Sequence, residues 1–314
     1  MNDTTSPESL VATLIAAPNA GLQEALLDQA QSRMTALGGS SVSLDWLAPN
    51  TAVDLFVTGA TVEALRDVLR EIFQSQPVDI IVQPAAKRRK KLLVADMEST
   101  IIEQEMLDEL AAAIGVGERV ADITRRAMNG ELDFTAAIKE RVGLLKGQPM
   151  TLLAETAKHI SFMPGAAALV ATMRKNDAQC WLVSGGFTCF AAPIAMTLGF
   201  SEAFANRLMV DTENGTLTGG VFEPILDKNT KKALLERGCF ECNVTLSDTI
   251  AVGDGANDVP MLSASNDGDG LGVAFHAKPS VRAVVPHQVT YGDLTALLFA
   301  QGYHESEFAT SQNF

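Results

Sequence analysis

The chain has 314 residues, 47% of them hydrophobic and 20% charged, which is enough for two domains and a sizeable core. No apolar run reaches membrane-spanning length, and a net charge of −14 argues against non-specific nucleic-acid binding. The first nine residues, Met1 to Ser9, lack the basic start and apolar stretch of a signal peptide, so the expectation is a cytoplasmic protein that binds neither membrane nor nucleic acid.

Residues 1–85 read as a small separate domain. A strand is expected over residues 10–16 and a helix over 22–37, closed by Gly38-Gly39. Residues 42–47 and 52–58 alternate as strands around a turn at Pro49-Asn50. An amphipathic helix spans 62–73, and a last strand 78–82 precedes Pro84. The order βαββαβ is that of ferredoxin-like α+β domains. The segment resembles amino-acid-binding regulatory domains of the ACT type, with Pro18-Asn19-Ala20-Gly21 where that family places ligand contacts. Such regulatory domains often pair, which leaves a homodimer open. The run Lys87-Arg88-Arg89-Lys90-Lys91 reads as a solvated linker rather than a nucleic-acid patch.

Residues 86–314 form the second predicted domain. The apolar run 92–95 has the pattern of a buried parallel strand. Nearly continuous helix follows over 103–113, 117–128, 134–145 and 150–160, a helical insertion of about residues 101–160. Beyond Pro164-Gly165, strands at 180–183, 249–253 and 271–275 alternate with helices, and residues 207–222, with Asn214-Gly215 at the centre, read as a β-hairpin. The alternation predicts an α/β fold with a doubly wound parallel sheet. Of Cys180, Cys189, Cys239 and Cys242, the last two form a single Cys-x-x-Cys, two ligands short of a zinc site, and read as two reduced structural thiols rather than a redox motif. His159, His276, His287 and His304 are scattered outside any motif, which argues against a phosphohistidine mechanism. Asn266-Asp267-Gly268-Asp269-Gly270 lacks the later Glu of a calcium loop and reads as a polar turn.

Four sites stand at strand ends or helix starts of this domain: Asp96-Met97-Glu98-Ser99-Thr100, Ser184-Gly185-Gly186 after a strand, Lys231, and Gly253-Asp254-Gly255-Ala256-Asn257-Asp258. Ligands of open α/β sheets bind at the carboxyl ends of strands, where a carboxylate serves as nucleophile or metal ligand. In this order the four sites resemble the haloacid dehalogenase-type phosphohydrolases over residues 92–300. The segments 122–130, Phe134, 141–147 and 204–208 narrow the resemblance to the phosphoserine phosphatase branch.

The resemblance implies a doubly wound core under a helical cap, and hydrolysis of a phosphate monoester through an aspartyl phosphate on Asp96. It implies Mg²⁺ held by Asp96, Asp254 and the backbone carbonyl of Glu98, oriented from behind by Asp258. Ser184, Gly185 and Lys231 are expected on the phosphoryl oxygens, with Asn257 among the substrate-binding residues. Glu98 stands where the family has Asp and is expected as general acid and base, its longer arm shifting the proton-transfer geometry. In the cap, Glu105 is expected to meet the ammonium and Arg141 the carboxylate of O-phospho-L-serine, while Met128 and Phe134 close an apolar lid. Two rivals remain: a phosphatase or phosphotransferase for another small phosphate ester, and a phospho-acceptor sensor without turnover. The insertion of roughly 60 residues disfavours the sensor, since response-regulator domains lack a cap.

Overall fold

A computed structural model describes residues 9–38, 42–128 and 131–309. β1 (Ser9–Ala16), β2 (Ser43–Ala48), β3 (Ala52–Thr58) and β4 (Val78–Pro84) form an antiparallel sheet in the order β2-β3-β1-β4. This is the ferredoxin-like split arrangement, with β3 inserted between β1 and β2. Helices Glu24–Ala36 and Val62–Phe73 bury Leu27, Met34, Leu65 and Leu69 with Leu14 and Leu55 of the sheet. Thr61 caps the second helix by accepting from the Ala64 N–H. The first helix ends at Ala36; the Gly39 half of its expected cap lies outside the described residues.

The second sheet has six parallel strands. β5 (Leu92–Ala95), fully buried, lies inside it beside β6 (Gln179–Phe187), which is followed by β7 (Glu202–Asn206). The hairpin of β8 (Leu208–Asp211) and β9 (Thr216–Val221) stands apart. β10 (Thr249–Gly253), β11 (Leu271–Phe275) and β12 (His287–Val289) complete the order β12-β11-β10-β5-β6-β7. This is the expected doubly wound α/β core. Its strands carry apolar side chains on both faces because helices cover both.

The helical insertion comprises Met106–Ala113, Gly117–Met128, Phe134–Gly143 and Thr151–Ala157. Its first and last helices are shorter than the sequence suggests. The last helix tightens into turns, with the N–H groups of Lys158, His159 and Ile160 donating to the carbonyls three residues back, and a two-stranded neck joins the ends of the insertion: Ile102 bridges Phe162, Glu103 N–H donates to Ser161 O, and Met163 N–H donates to Ile101 O.

The basic run is not a solvated linker. Arg88 is buried and donates through Nη1 and Nη2 to Asp54, with Nη2 also reaching Thr13 Oγ1. The Lys90 ammonium donates to Ser247 O. Arg89 and Lys91 stay on the surface, so the run alternates in and out as an extended strand does. Asp79 adds a second tie between the two sheets by accepting from the N–H groups of Thr290, Tyr291 and Gly292. A third is His287, whose ring nitrogens meet Asn266 Oδ1 and Val82 O.

Burial, followed by the nearby Arg66 charge, lowers His287 to about 4. The unfolded chain takes up this proton near pH 6.5 and the folded chain only near 4. His287 therefore costs stability increasingly as pH falls between those values and costs nothing above them. The unfolding free energy of the wild type, from urea denaturation, should fall relative to that of His287→Gln across that window, by up to about 3 kcal/mol. Parallel pH curves for the two proteins would refute a neutral buried imidazole.

Candidate active site

Three adjacent parallel strands bring the sequence motifs to one edge. Asp96 follows β5 and Asp254 follows β10, while Ser184, Gly185 and Gly186 lie in the last residues of β6, where the pairing with β7 slips register. The sequence placed these residues after the strand; they belong to it as a bulge, which re-aims the backbone at the sheet's carboxyl end. Ser184 is fully buried and its Oγ accepts from the Gly186 N–H at 2.9 Å.

Carboxylate oxygens of Asp96, Asp254 and Asp258 lie within 4.8 Å of one another. Lys231 projects from the first turn of helix Lys228–Glu241, whose start is fixed by a capping box between Asp227 and Thr230. Its Nζ lies 2.7 Å from Asp96 Oδ1 and 2.6 Å from Asp258 Oδ1, and only 1% of the side chain is exposed. Close approach is built into the backbone: a Cβ on Gly253 would lie 2.4 Å from Asp258 Cγ, so only glycine fits there.

Three clustered carboxylates thus have one buried ammonium among them, in contact with Asp96 and Asp258, and when all three are ionised two negative charges are left over. Burial and then the charge of Asp258 hold Asp96 well above the usual carboxylate range. Burial also lifts Asp254 to about 6, against the pull of Lys278, which stands 3.7 Å away at the surface. Burial opposes the Lys231 charge, but Asp258 and Asp96 outweigh it and hold the ammonium above its ordinary value. A hard, all-oxygen donor set with surplus negative charge fits a divalent cation. Asp258 has both oxygens engaged, Oδ1 by Lys231 and Oδ2 by the Gly255 N–H. Asp96 and Asp254 are therefore the side chains best able to offer an oxygen to a metal ion, and Asp258 stands behind them. Asn257 is half-buried in the same loop.

The cap reaches this edge through several side chains. Glu98 Oε1 accepts from the Met106 N–H, the first of helix Met106–Ala113, at 2.9 Å. A Cβ on Gly186 would come within 2.8 Å of the same carboxylate, so Glu98 is wedged between cap helix and bulge. Burial and the Glu105 carboxylate push Glu98 up to about 7, against the Met106 N–H and the charges of Lys231 and Arg141. Glu105 is exposed and accepts from Ser99 Oγ at 2.8 Å; Ser99 itself has φ +54°. Arg141 is half-buried on helix Phe134–Gly143 and donates weakly to Ala137 O at 3.4 Å. The Phe134 ring approaches the bulge, lying 3.8 Å from where a Gly185 Cβ would be. The side chain of Met128 lies outside the described residues.

Sequence reasoning gave no role to three residues at this site. Ser99 orients Glu105, and Lys278 stands beside Asp254. Asn206, buried at the end of β7, donates to Gly185 O and accepts from the Leu226 N–H. Ser99 stood inside the first motif and Asn206 in a segment similar to known phosphatases, whereas Lys278 carried no signal.

Comparison with known proteins agrees with this geometry. Residues 93–263 match the haloacid dehalogenase-like hydrolase family. A phosphoserine phosphatase of Lactococcus lactis is 42% identical over 209 residues, which cover 67% of this chain and 94% of that protein. One from Saccharomyces cerevisiae is 36% identical over 300 residues, 93% of this chain and 96% of its own. The crystal structure of a probable phosphoserine phosphatase from Vibrio cholerae superposes with a TM-score of 0.73 at 28% identity, over 96% of this chain and 88% of that one. A family match over more than half of the sequence, carried by relatives aligned over nearly their whole length, places the chain in the haloacid dehalogenase-like hydrolases.

Proposed function

We propose that the protein is a Mg²⁺-dependent phosphoserine phosphatase, hydrolysing O-phospho-L-serine to L-serine and phosphate at the end of L-serine biosynthesis. The observation that carries this reading is the meeting of two chemistries at one sheet edge. The Asp96, Asp254 and Lys231 cluster suits a phosphoryl group, and two cap side chains of opposite charge, Glu105 and Arg141, both act on Glu98 beside it, as an amino acid requires. The names of the relatives from Lactococcus lactis and Saccharomyces cerevisiae support the same substrate. In this reading residues 86–314 form the catalytic unit and residues 1–85 a regulatory one.

Each residue then has a task that follows from its surroundings. Asp96 attacks phosphorus and forms an aspartyl phosphate, as Glu98 gives its proton to the departing seryl oxygen. Glu98 then takes a proton from the water that cleaves the acyl phosphate, restoring both groups. Its elevated affinity for a proton suits the first task, and its wedge against the Met106 N–H fixes its direction. Ser184 and the Gly185 N–H hold the phosphoryl oxygens, and Lys231 balances the charge that gathers on them. Mg²⁺ held by Asp96, Asp254 and the Glu98 carbonyl would offset the repulsion between carboxylate and phosphate. Arg141 binds the substrate carboxylate, Glu105 the ammonium, and Phe134 helps exclude water.

The test is phosphate release from O-phospho-L-serine, with Mg²⁺, beside p-nitrophenyl phosphate and a panel of sugar and nucleotide monophosphates. Arg141→Ala should raise KM for phosphoserine about 10- to 100-fold, the worth of a charged hydrogen-bonded contact. It should leave p-nitrophenyl phosphate nearly unaffected, because that ester has no carboxylate. Equal effects on both esters would remove Arg141 from substrate recognition, and activity on the panel but not on phosphoserine would discard the substrate.

A further inference from the structure

We propose that Asn206 is a positioning residue that locks the phosphoryl-binding bulge to the helix bearing Lys231, so that both meet the transferred group as one rigid unit. The inference rests on the phosphatase reading of the site. Asn206 is 3% exposed and closes β7, where its backbone pairs with Phe187, just beyond the bulge. Its amide is used at both ends: Nδ2 donates to Gly185 O at 2.7 Å, and Oδ1 accepts from the Leu226 N–H at 2.7 Å. Both partners are backbone groups with a fixed role, so the orientation of the amide is determined.

The two ends lie on different parts of the machinery. Gly185 separates Ser184 from Gly186, and the Ser184 hydroxyl is already held by the Gly186 N–H. Leu226 directly precedes Asp227, the cap of helix Lys228–Glu241, and the Lys231 N–H donates to Asp227 O. One planar side chain therefore spans the junction between donors on β6 and the ammonium on helix Lys228–Glu241. No other motif residue has hydrogen bonds to both segments among the described residues. Only an amide supplies a donor and an acceptor at this reach. Asp would keep the acceptor, lose the donor, and set a carboxylate against the Gly185 carbonyl.

A group that only filled a buried hydrogen-bonding gap would change stability and leave chemistry per folded molecule intact. A positioning group changes the chemical step, and a misplacement near 1 Å costs about 10²-fold. In the full-length protein with Mg²⁺, Asn206→Asp should lower kcat by about 10²-fold with little change in KM. The loss should be equal for O-phospho-L-serine and p-nitrophenyl phosphate, because the residue acts on the shared phosphoryl group. Inhibition by orthovanadate, a mimic of the five-coordinate phosphoryl group, should weaken in parallel. Combined with Ser184→Ala, the two losses should fall short of multiplying, as for residues acting as a unit.

Wild-type kcat and vanadate inhibition in a folded Asn206→Asp protein would overturn the proposal, as would losses that multiply in the double variant. If the Asp variant does not fold, Asn206→Ser, neutral and smaller, takes its place: lowered kcat with weakened vanadate inhibition supports the proposal, and wild-type values overturn it. If the wild type ignores phosphoserine but hydrolyses p-nitrophenyl phosphate, the substrate assignment falls and Asn206 is read on that ester. If the wild type hydrolyses neither, both fall together.

Discussion

Asp96→Asn should abolish turnover and, in EDTA, raise the stability of the fold. The activity loss follows from the nucleophile's role proposed for the carboxylate: an amide oxygen would not form the acyl phosphate, and removing a nucleophile from a site that acts as a unit costs about 10⁴-fold or more. The gain in stability follows from the charges. Asp96 is buried beside Asp254 and Asp258, and burial and then Asp258 push its proton affinity up although Lys231 is in contact. A neutral amide of the same shape removes that repulsion, and Lys231 keeps Asp258 as its partner at 2.6 Å. Activity gained at the expense of stability is what a functional cluster of like charges implies. Phosphate release and urea denaturation of the two proteins check both halves. Activity within tenfold of wild type would remove Asp96 from the nucleophile's role, and a destabilised variant would mean that the carboxylate is better paired than its neighbours suggest.

The parts of the molecule legible in the sequence were those set by one local pattern. The run at β5 is apolar on both faces because the strand is covered on both faces, and the polar residue that ends it, Asp96, therefore stands out. The ferredoxin-like order of the first sheet followed from strand alternation and from turn residues such as Asn50, which takes φ +58°. What escaped was set by pairing between distant segments. Nothing local distinguishes Arg88 from Arg89; the difference is made by Asp54 and Thr13, which come from two strands of the first sheet. The neck of the cap escaped because Ile102 and Phe162 pair across an insertion of some sixty residues. Asn206 is an ordinary polar residue until the bulge and the cap of the Lys231 helix are brought to either side of it.

Lys231→Met tests whether the same cluster is held together by its single buried cation. The side chain is 1% exposed and touches two carboxylates, so methionine fills the space but leaves Asp96, Asp254 and Asp258 without a buried partner. Lys278 is no substitute, since it stands 3.7 Å from Asp254 with most of its side chain in solvent. Removing one partner from a buried ionic network costs about 3–5 kcal/mol, and that loss is expected for the variant in EDTA near neutral pH. The deficit should shrink as the medium is made acidic. Without the ammonium, the folded-state carboxylates bind protons at a higher pH than the unfolded chain, so the folded state takes up more protons and gains stability as pH falls. Added Mg²⁺ should restore more stability to the variant than to the wild type, because the cluster then presents three uncompensated negative charges instead of two. Catalysis should not return with stability. A lost donor to the developing oxyanion costs about 10²–10³-fold in kcat, and a cation held by Asp96 and Asp254 would not supply that donor. A folded, Mg²⁺-stabilised and nearly inactive variant would assign Lys231 to the chemistry as well as the fold; recovery of activity along with stability would make it a structural counter-ion alone.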